Sequence, residues 1–181
     1  MALVMSVSSL NGVRNLNMAR VYISIGSNIE PLHHIRAGLT HLQRQFGPLI
    51  LSSVYESQAV GFKGDNFYNL VTGFDTSMTI YQVVDILRHI EQVNGRQRQS
   101  KRFSARTLDL DLLLYDDLIL KADNLEVPRD EISQYAFVLL PLAEIAPTAR
   151  HPLTGQRYSE MVKQFNHPEQ PLWRINVDVT S

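Results

Sequence analysis

Arg106-Thr107-Leu108-Asp109-Leu110-Asp111-Leu112-Leu113-Leu114-Tyr115 sets two carboxylates into a run dominated by leucine. Side chains on a β-strand alternate between faces, so Asp109 and Asp111 share one face and Leu108, Leu110 and Leu112 share the other. One face anchors a core and the other presents paired charge. Two carboxylates about 6–7 Å apart along a strand repel each other unless a cation sits before them. A divalent metal is the simplest such partner, because magnesium takes one or two carboxylates and fills its remaining positions with water and phosphate oxygen. The competing account is a pair of salt-bridged or solvent-facing aspartates on an exposed strand face.

The segment just upstream, Arg88 to Arg106, weighs against that plainer account. It holds five arginines, one lysine and the single acid Glu91, in a chain whose net charge is only -1. Guanidinium groups bind phosphate bidentately, and carboxylates with metal neutralise the rest of a polyphosphate. The combination predicts a metal–nucleotide site. Between Gly95 and Ala105 the residues are charged, small or amide-bearing with little to bury, which predicts a catalytic lid that closes on ligand and excludes water. The alternative is a solvated basic loop without a target.

With these pieces quoted, the chain resembles the 6-hydroxymethyl-7,8-dihydropterin pyrophosphokinases of folate synthesis. The resemblance rests on Tyr22-Ile23-Ser24-Ile25-Gly26-Ser27-Asn28, Glu91 through Arg98, Arg106 through Asp111 and Pro141-Leu142-Ala143-Glu144-Ile145-Ala146-Pro147, in family order from about Val21 to Phe165. It implies transfer of pyrophosphate from ATP to the pterin hydroxymethyl group, with release of AMP, on a ferredoxin-like core. It further implies two magnesium ions on Asp109 and Asp111, and Arg96 and Arg106 as catalytic cations. Glu91, Arg98, Arg102, Leu112 and Arg129 would contact ATP, and Ser57, Val60, Phe67, Asn69, Phe103 and Phe137 the pterin. The chain departs from the family pattern at Arg129, where histidine is usual, and at Tyr135, where arginine is usual. Both changes are expected at the nucleotide end. Phe103 stands for a usual lid tryptophan, Arg88 for a glutamine and Ala59 for a proline.

Two other classes fit parts of the pattern. A nucleic-acid binder would use the basic stretch, but no aromatic-rich RNA-binding strand is present and the aspartates would repel a phosphate backbone. A divergent paralogue would bind nucleotide or pterin with altered substrate or without turnover. Neither nucleic acid nor a membrane is expected as a partner, and the chain is expected to act as a monomer or weak dimer.

Length of 181 residues with 44% hydrophobic and 19% charged residues is ordinary globular composition, sufficient for one domain. No run approaches the roughly 18 apolar residues of a membrane span. The absence of cysteine excludes disulfides and thiolate-bound zinc and fits a reducing, cytoplasmic compartment. Residues 1–19 read as an N-terminal extension, either a start placed upstream of true initiation at Met18 or, on its serine and arginine content, a transit segment. Residues 20–168 read as the catalytic domain. The tail 169–181 alternates, with Trp173, Ile175, Val177 and Val179 against Arg174, Asn176 and Asp178, and suits either an extra edge strand or a dimer contact.

Between these limits, Arg20–Ile25 reads as a strand, with a helix cap in Gly26-Ser27-Asn28. A helix follows with Leu32, Ile35, Leu39, Leu42 and Phe46 on one stripe, stopped by Gly47-Pro48. No Gly-Lys-Ser/Thr follows Gly26, which excludes a Walker-type phosphate loop. Leu49–Ser57 and Phe67–Thr76 read as two strands. A second helix carries Ile80, Val83, Val84, Leu87 and Ile90 inward behind a Ser77 or Thr79 cap. Asp116-Asp117 reads as the turn of a hairpin from the acidic strand into Leu118–Leu120. Alternating helices and strands with hairpins predict an α+β sandwich on a mainly antiparallel sheet.

Overall fold

The computed structural model describes residues 18–61, 63–95, 105–122 and 124–180. Alternation of β-branched with small or polar residues makes Ala19–Ser27 the strand β1, whose Val21, Ile23 and Ile25 are fully buried on one face. Helix α1 (Pro31–Phe46) follows, with Pro31 in its first turn. Then come β2 (Ile50–Leu51), β3 (Val54–Ser57), β4 (Phe67–Thr76), α2 (Ile80–Val93) and β5 (Asp109–Tyr115). A small hairpin of β6 (Leu120–Ala122) and β7 (Leu125–Val127) precedes α3 (Glu131–Gln134), α4 (Ala136–Ile145), α5 (Tyr158–Gln164) and β8 (Leu172–Ile175).

The main sheet runs β5-β1-β4-β3-β8, with β2 also on β4, and all its pairings are antiparallel. The β-α-β-β-α-β path of β1, α1, β3, β4, α2 and β5, with β1 and β4 central, is a ferredoxin-like α+β arrangement. Helices α1 and α2 cover one face, where Ile35, Leu39, Leu42, Val83, Leu87 and Ile90 meet Ile23, Ile25, Leu70, Phe74, Leu108, Leu110 and Leu112. Gly38 lets α1 come close to the acidic strand, since a Cβ there would lie 2.9 Å from Leu108 Cδ2. On the other face Tyr22, Val71, Leu113 and Leu114 pack beneath Ile132, Val138, Leu139, Leu142, Tyr158 and Met161. A bulge makes this two-sided packing possible: Ile23 pairs with Leu112 and Tyr22 with Leu114, leaving Leu113 as the extra residue.

Three sequence expectations are corrected. The strand expected over Leu49–Ser57 is divided, because Ser52 turns its hydroxyl inward to accept the Val71 N–H at 2.9 Å and breaks the regular ladder. The expected hairpin from β5 into Leu118–Leu120 does not form. Asp116 adopts a positive φ of 45° and its carboxylate accepts the Arg20 N–H at 2.7 Å, which directs the chain away from β5, and β6 pairs with β7 instead. Nor does Gly26-Ser27-Asn28 cap α1, whose N-cap is Glu30 without a side-chain bond. The capping box at Thr79 and Gln82 does start α2.

At the C-terminal end, β8 pairs with β3 as the sheet's outer strand. Beyond it Val179 is buried in the core under α1, and Arg36 of that helix donates two hydrogen bonds to the Asp178 carbonyl at 2.6 and 3.0 Å. No helix among the described residues is long and apolar enough to cross a membrane.

Candidate active site

Strand register assembles the site. Asp109 pairs with Gly26, Gly26 with Asn69 and Asn69 with Tyr55, so one row of residues crosses β5, β1, β4 and β3. The next row holds Asp111, Ser24 and Val71, and Ser57 pairs with Phe67 on the opposite flank. Paired residues point to one side, so the two aspartates, Phe67, Asn69 and Ser57 share the face opposite α1 and α2. Strands lie about 4.7–4.9 Å apart, which sets Asp109 roughly 10 Å from Asn69. Between them lies Gly26, where an added Cβ would meet Asn69 Oδ1 at 3.5 Å and Phe67 Cδ1 at 3.8 Å. The missing side chain leaves an open floor between carboxylates and amide. Sequence reasoning quoted Gly26 within the family motif and as part of a turn and helix cap, but gave it no place in the site; its signal was the Ser24-Ile25-Gly26 alternation, which puts small residues on the functional face.

At the acidic end each carboxylate faces a guanidinium. Arg106 is ion-paired with Asp109, both side chains being largely covered. Arg129 Nη2 lies 3.1 Å from Asp111 Oδ1 and its Nε 2.8 Å from Glu131 Oε2. The Asp111 pKa is raised to about 6, by burial first and then by the adjacent Asp109 charge, with Arg129 opposing both. The Arg129 guanidinium is held charged, since Asp111 and Glu131 outweigh the effect of its own burial.

The backbone beneath these groups is tied from several directions. Asn28 Oδ1 accepts the Arg106 N–H at 2.7 Å, while the Asn28 and Ile29 N–H groups donate to the Arg106 carbonyl at 3.1 and 3.2 Å. Asn28 Nδ2 also donates to the Asp65 carbonyl at 3.2 Å, joining the segment before β5 to the loop before β4. The motif expected to cap a helix is therefore a clamp between the two ends of the site. Glu91 is 5% exposed and its Oε1 accepts the Leu110 N–H at 2.8 Å. The Arg129 N–H donates to the Leu113 carbonyl at 3.0 Å. As β5 is an edge strand, these bonds occupy positions that a neighbouring strand would otherwise fill.

The other end is a cleft of about 280 Å³ between the segment after β3, the start of α4 and the chain leading into β8. Ser57, Val60, Tyr135 and Phe137 line it, with Glu169, Gln170 and Leu172 from the tail. The Tyr135 and Phe137 rings stack with centroids 5.0 Å apart and planes inclined by 17°. Asn69 Nδ2 donates to Ser57 Oγ at 3.0 Å. Gln170 caps α4: its Oε1 accepts the Ala136 N–H at 2.8 Å and its Nε2 donates to the Gln134 carbonyl at 2.9 Å.

Among the expected site residues, Asp109, Asp111, Arg106 and Arg129 gather at one end, and Ser57, Val60, Phe67, Asn69 and Phe137 at or beside the other. The Leu112 side chain lies in the core on the opposite face of β5, so any contact it makes with a ligand is through its backbone. Tyr135 sits in the aromatic cleft, while Arg129 sits on Asp111. Arg96, Arg98, Arg102 and Phe103, and with them the expected lid, lie outside the described residues. No group of three or more histidine, cysteine, aspartate or glutamate side chains among the described residues is placed to hold a metal. The donor set of Asp109 and Asp111 nevertheless suits magnesium, which takes one or two protein carboxylates with the balance from water and phosphate. Two guanidinia already stand at these oxygens, which marks them as a site for positive charge.

The chain is 32% identical over 157 residues to an Aquifex aeolicus 2-amino-4-hydroxy-6-hydroxymethyldihydropteridine pyrophosphokinase, covering 86% of this chain and 94% of the relative. The Pseudomonas aeruginosa protein of the same name is 38% identical over 147 residues, covering 79% and 90%. Among solved structures, wild-type Plasmodium falciparum HPPK-DHPS with pteroate superimposes with a TM-score of 0.65 at 11% identity, a likeness of fold. It covers 81% of this chain, which spans less than half (42%) of that longer protein. Residues 22–147 match the model of the 7,8-dihydro-6-hydroxymethylpterin-pyrophosphokinase family, to which this chain belongs.

Proposed function

We infer that the chain transfers pyrophosphate from ATP to the hydroxymethyl group of 6-hydroxymethyl-7,8-dihydropterin, a step of folate biosynthesis. The observation that carries the reading is the single sheet face that sets Asp109 and Asp111 across the Gly26 floor from Asn69 and Phe67. Paired carboxylates beside arginines suit a metal polyphosphate, and an amide with an aromatic ring suits a flat heterocycle with hydrogen-bonding edges. In the reaction the hydroxymethyl oxygen attacks the β-phosphorus. The bond from that phosphorus to the α–β bridging oxygen breaks, AMP leaves, and the hydroxyl proton passes to solvent.

Asp109 and Asp111 would hold two magnesium ions, which when bound supply charge neutralisation and a lower cost of alkoxide formation. Arg106 and Arg96 neutralise the transferring group, with Arg98 and Arg102 on the phosphates and Arg129 at the nucleotide end. Glu91 contributes by fixing the Leu110 backbone beside the metal ligands, and Leu112 by its backbone. Ser57, Val60, Phe67, Asn69, Phe103 and Phe137 would enclose the pterin, Asn69 reading its edge. A monomer or weak dimer and a cytoplasmic setting suit this reading.

The direct test is product analysis with ATP, the pterin and magnesium. AMP formed in step with the pterin diphosphate is expected. ADP as the product would replace pyrophosphate transfer with simple phosphorylation, and no nucleotide product from folded protein would overturn the reading for this substrate.

A further inference from the structure

Arg129 is placed where a cation at Asp111 must contend with it. Its backbone is fixed to β5 by the bond to the Leu113 carbonyl, two residues beyond Asp111. Its side chain reaches back so that Nη2 meets Asp111 and Nε meets Glu131. All three side chains are mostly covered, the Arg129 and Asp111 side chains being 33% and 34% exposed and Glu131 17%. Among the described residues, the charged groups around it are Asp109 with its partner Arg106, Asp111 and Glu131, while Asp130 turns its carboxylate to Gln134 Nε2 at 2.9 Å. An incoming ion that takes Asp111 therefore either shares the carboxylate with a guanidinium, at the cost of like-charge repulsion, or displaces it toward Glu131.

We propose that Arg129 is a resident counter-cation at Asp111, which excludes free divalent ions and yields the carboxylate to a metal–polyphosphate complex. This inference rests on the pyrophosphokinase reading and concerns the order in which that site is filled. A free ion brings charge only for the carboxylate and leaves the guanidinium to lose a partner. A metal–polyphosphate complex supplies both sides of the exchange: cation to Asp111, and phosphate oxygen to the bidentate donor set of Arg129. Glu131 stays an ion-pair partner of the guanidinium throughout, so the arginine can exchange its Nη2 partner without giving up both ion pairs.

The test reads binding rather than turnover. Free Mn2+ is titrated into the full chain, without nucleotide or pterin, and the unbound ion is followed by electron paramagnetic resonance. Arg129→Gln should bind Mn2+ about tenfold more tightly than wild type, a modest relief of ion-pair competition. Arg129→Lys, which keeps the charge without the fork, should fall between them, and Asp111→Asn should lose the site. With a non-hydrolysable ATP analogue and Mn2+ the sign should reverse, Arg129→Gln binding the analogue more weakly than wild type. A purely structural role predicts that both affinities fall together in Arg129→Gln. Unchanged or weaker Mn2+ binding by Arg129→Gln and Arg129→Lys, with Asp111→Asn still losing the ion, would overturn the counter-cation and leave the acidic pair as the metal site. Undiminished Mn2+ binding by Asp111→Asn would overturn the metal platform and the proposal together. Should the glutamine variant fail to fold, the lysine variant decides the same comparison.

Discussion

The two ends of the site are built differently. At the acidic end, Asp109 and Asp111 project from the edge strand β5, whose backbone is tied by Glu91 and Arg129, with the segment before it tied by Asn28, and whose charges are balanced by Arg106 and Arg129. At the aromatic end, Asn69 and Ser57 form one buried hydrogen bond on the sheet, but the remaining cleft walls come from a loop, the start of a helix and the tail. Phosphoryl transfer demands fixed charges, because electrostatic stabilisation is effective only when the groups need not reorganise. Binding a flat ring demands shape, which loops and a tail can supply. The difference predicts that substitutions at the acidic end act mainly on turnover, and those at the aromatic end mainly on pterin affinity.

The largest expected effect is at the acidic end. Asp109→Ala or Asp111→Ala should lower kcat by about two to three decades, with the circular dichroism spectrum and melting transition retained. Unfolding of these variants would show instead that the pair is structural. Filling the floor between the two ends comes next. At Gly26 a Cβ makes only ordinary contacts, 3.5 Å and longer, so Gly26→Val should fold. Its branched side chain would occupy the space between Asp109 and Asn69 and should reduce kcat/KM by roughly 10–100-fold through misplaced reactants. Unchanged kinetics would dissolve the connection between the ends.

Smaller effects test the scaffolds. Glu91→Ala leaves the buried Leu110 N–H without its acceptor and should cost about 1–3 kcal/mol of stability, with Glu91→Gln recovering most of it. Equal losses in the two variants would show that the charge, rather than the acceptor, matters. Gln170→Ala removes the cap of α4 and should cost about 1 kcal/mol, with a higher pterin KM and unchanged kcat. A fall in kcat alone would contradict the division of labour. The metal-free chain should also show a pH signature of Asp111. Its folded pKa near 6 lies above the ordinary 3.8, so the folded state binds more protons between these values and this group's contribution to stability falls as pH rises from about 4 to 6. Asp111→Asn should remove that slope in thermal melts; an unaltered slope would assign it elsewhere.

The acidic end was the more legible in sequence because its pattern is local. Asp109 and Asp111 share a face by period-two alternation, and the alternating Leu108, Leu110 and Leu112 identify the buried face without long-range information. The central helices were equally readable from the spacing of Ile35, Leu39 and Leu42 and from the cap expected at Ser77 or Thr79, of which Thr79 is the one used. What depended on register was not. That Gly26 joins Asp109 to Asn69, or that Asn28 clamps Arg106 rather than capping α1, follows from pairings across many residues of chain. The hairpin expected after β5 failed because the Asp116 carboxylate, with its backbone at positive φ, bonds back to Arg20, a tertiary contact that turn propensity does not encode. Arg129 was expected to meet nucleotide, but its two ion pairs arise only once the loop bonded to Leu113 brings Glu131 and Asp111 together.

The central claim is that the acidic face of β5 is the platform for a metal-bound nucleotide. Crystals grown with Mn2+, a non-hydrolysable ATP analogue and the pterin, measured for manganese anomalous scattering, test it most directly. Manganese should be coordinated by the Asp109 and Asp111 carboxylates, with Arg129 moved from Asp111 to phosphate oxygen and the pterin beside Asn69. Nucleotide bound elsewhere, with Asp109 and Asp111 still paired to Arg106 and Arg129 and no manganese between them, would contradict it.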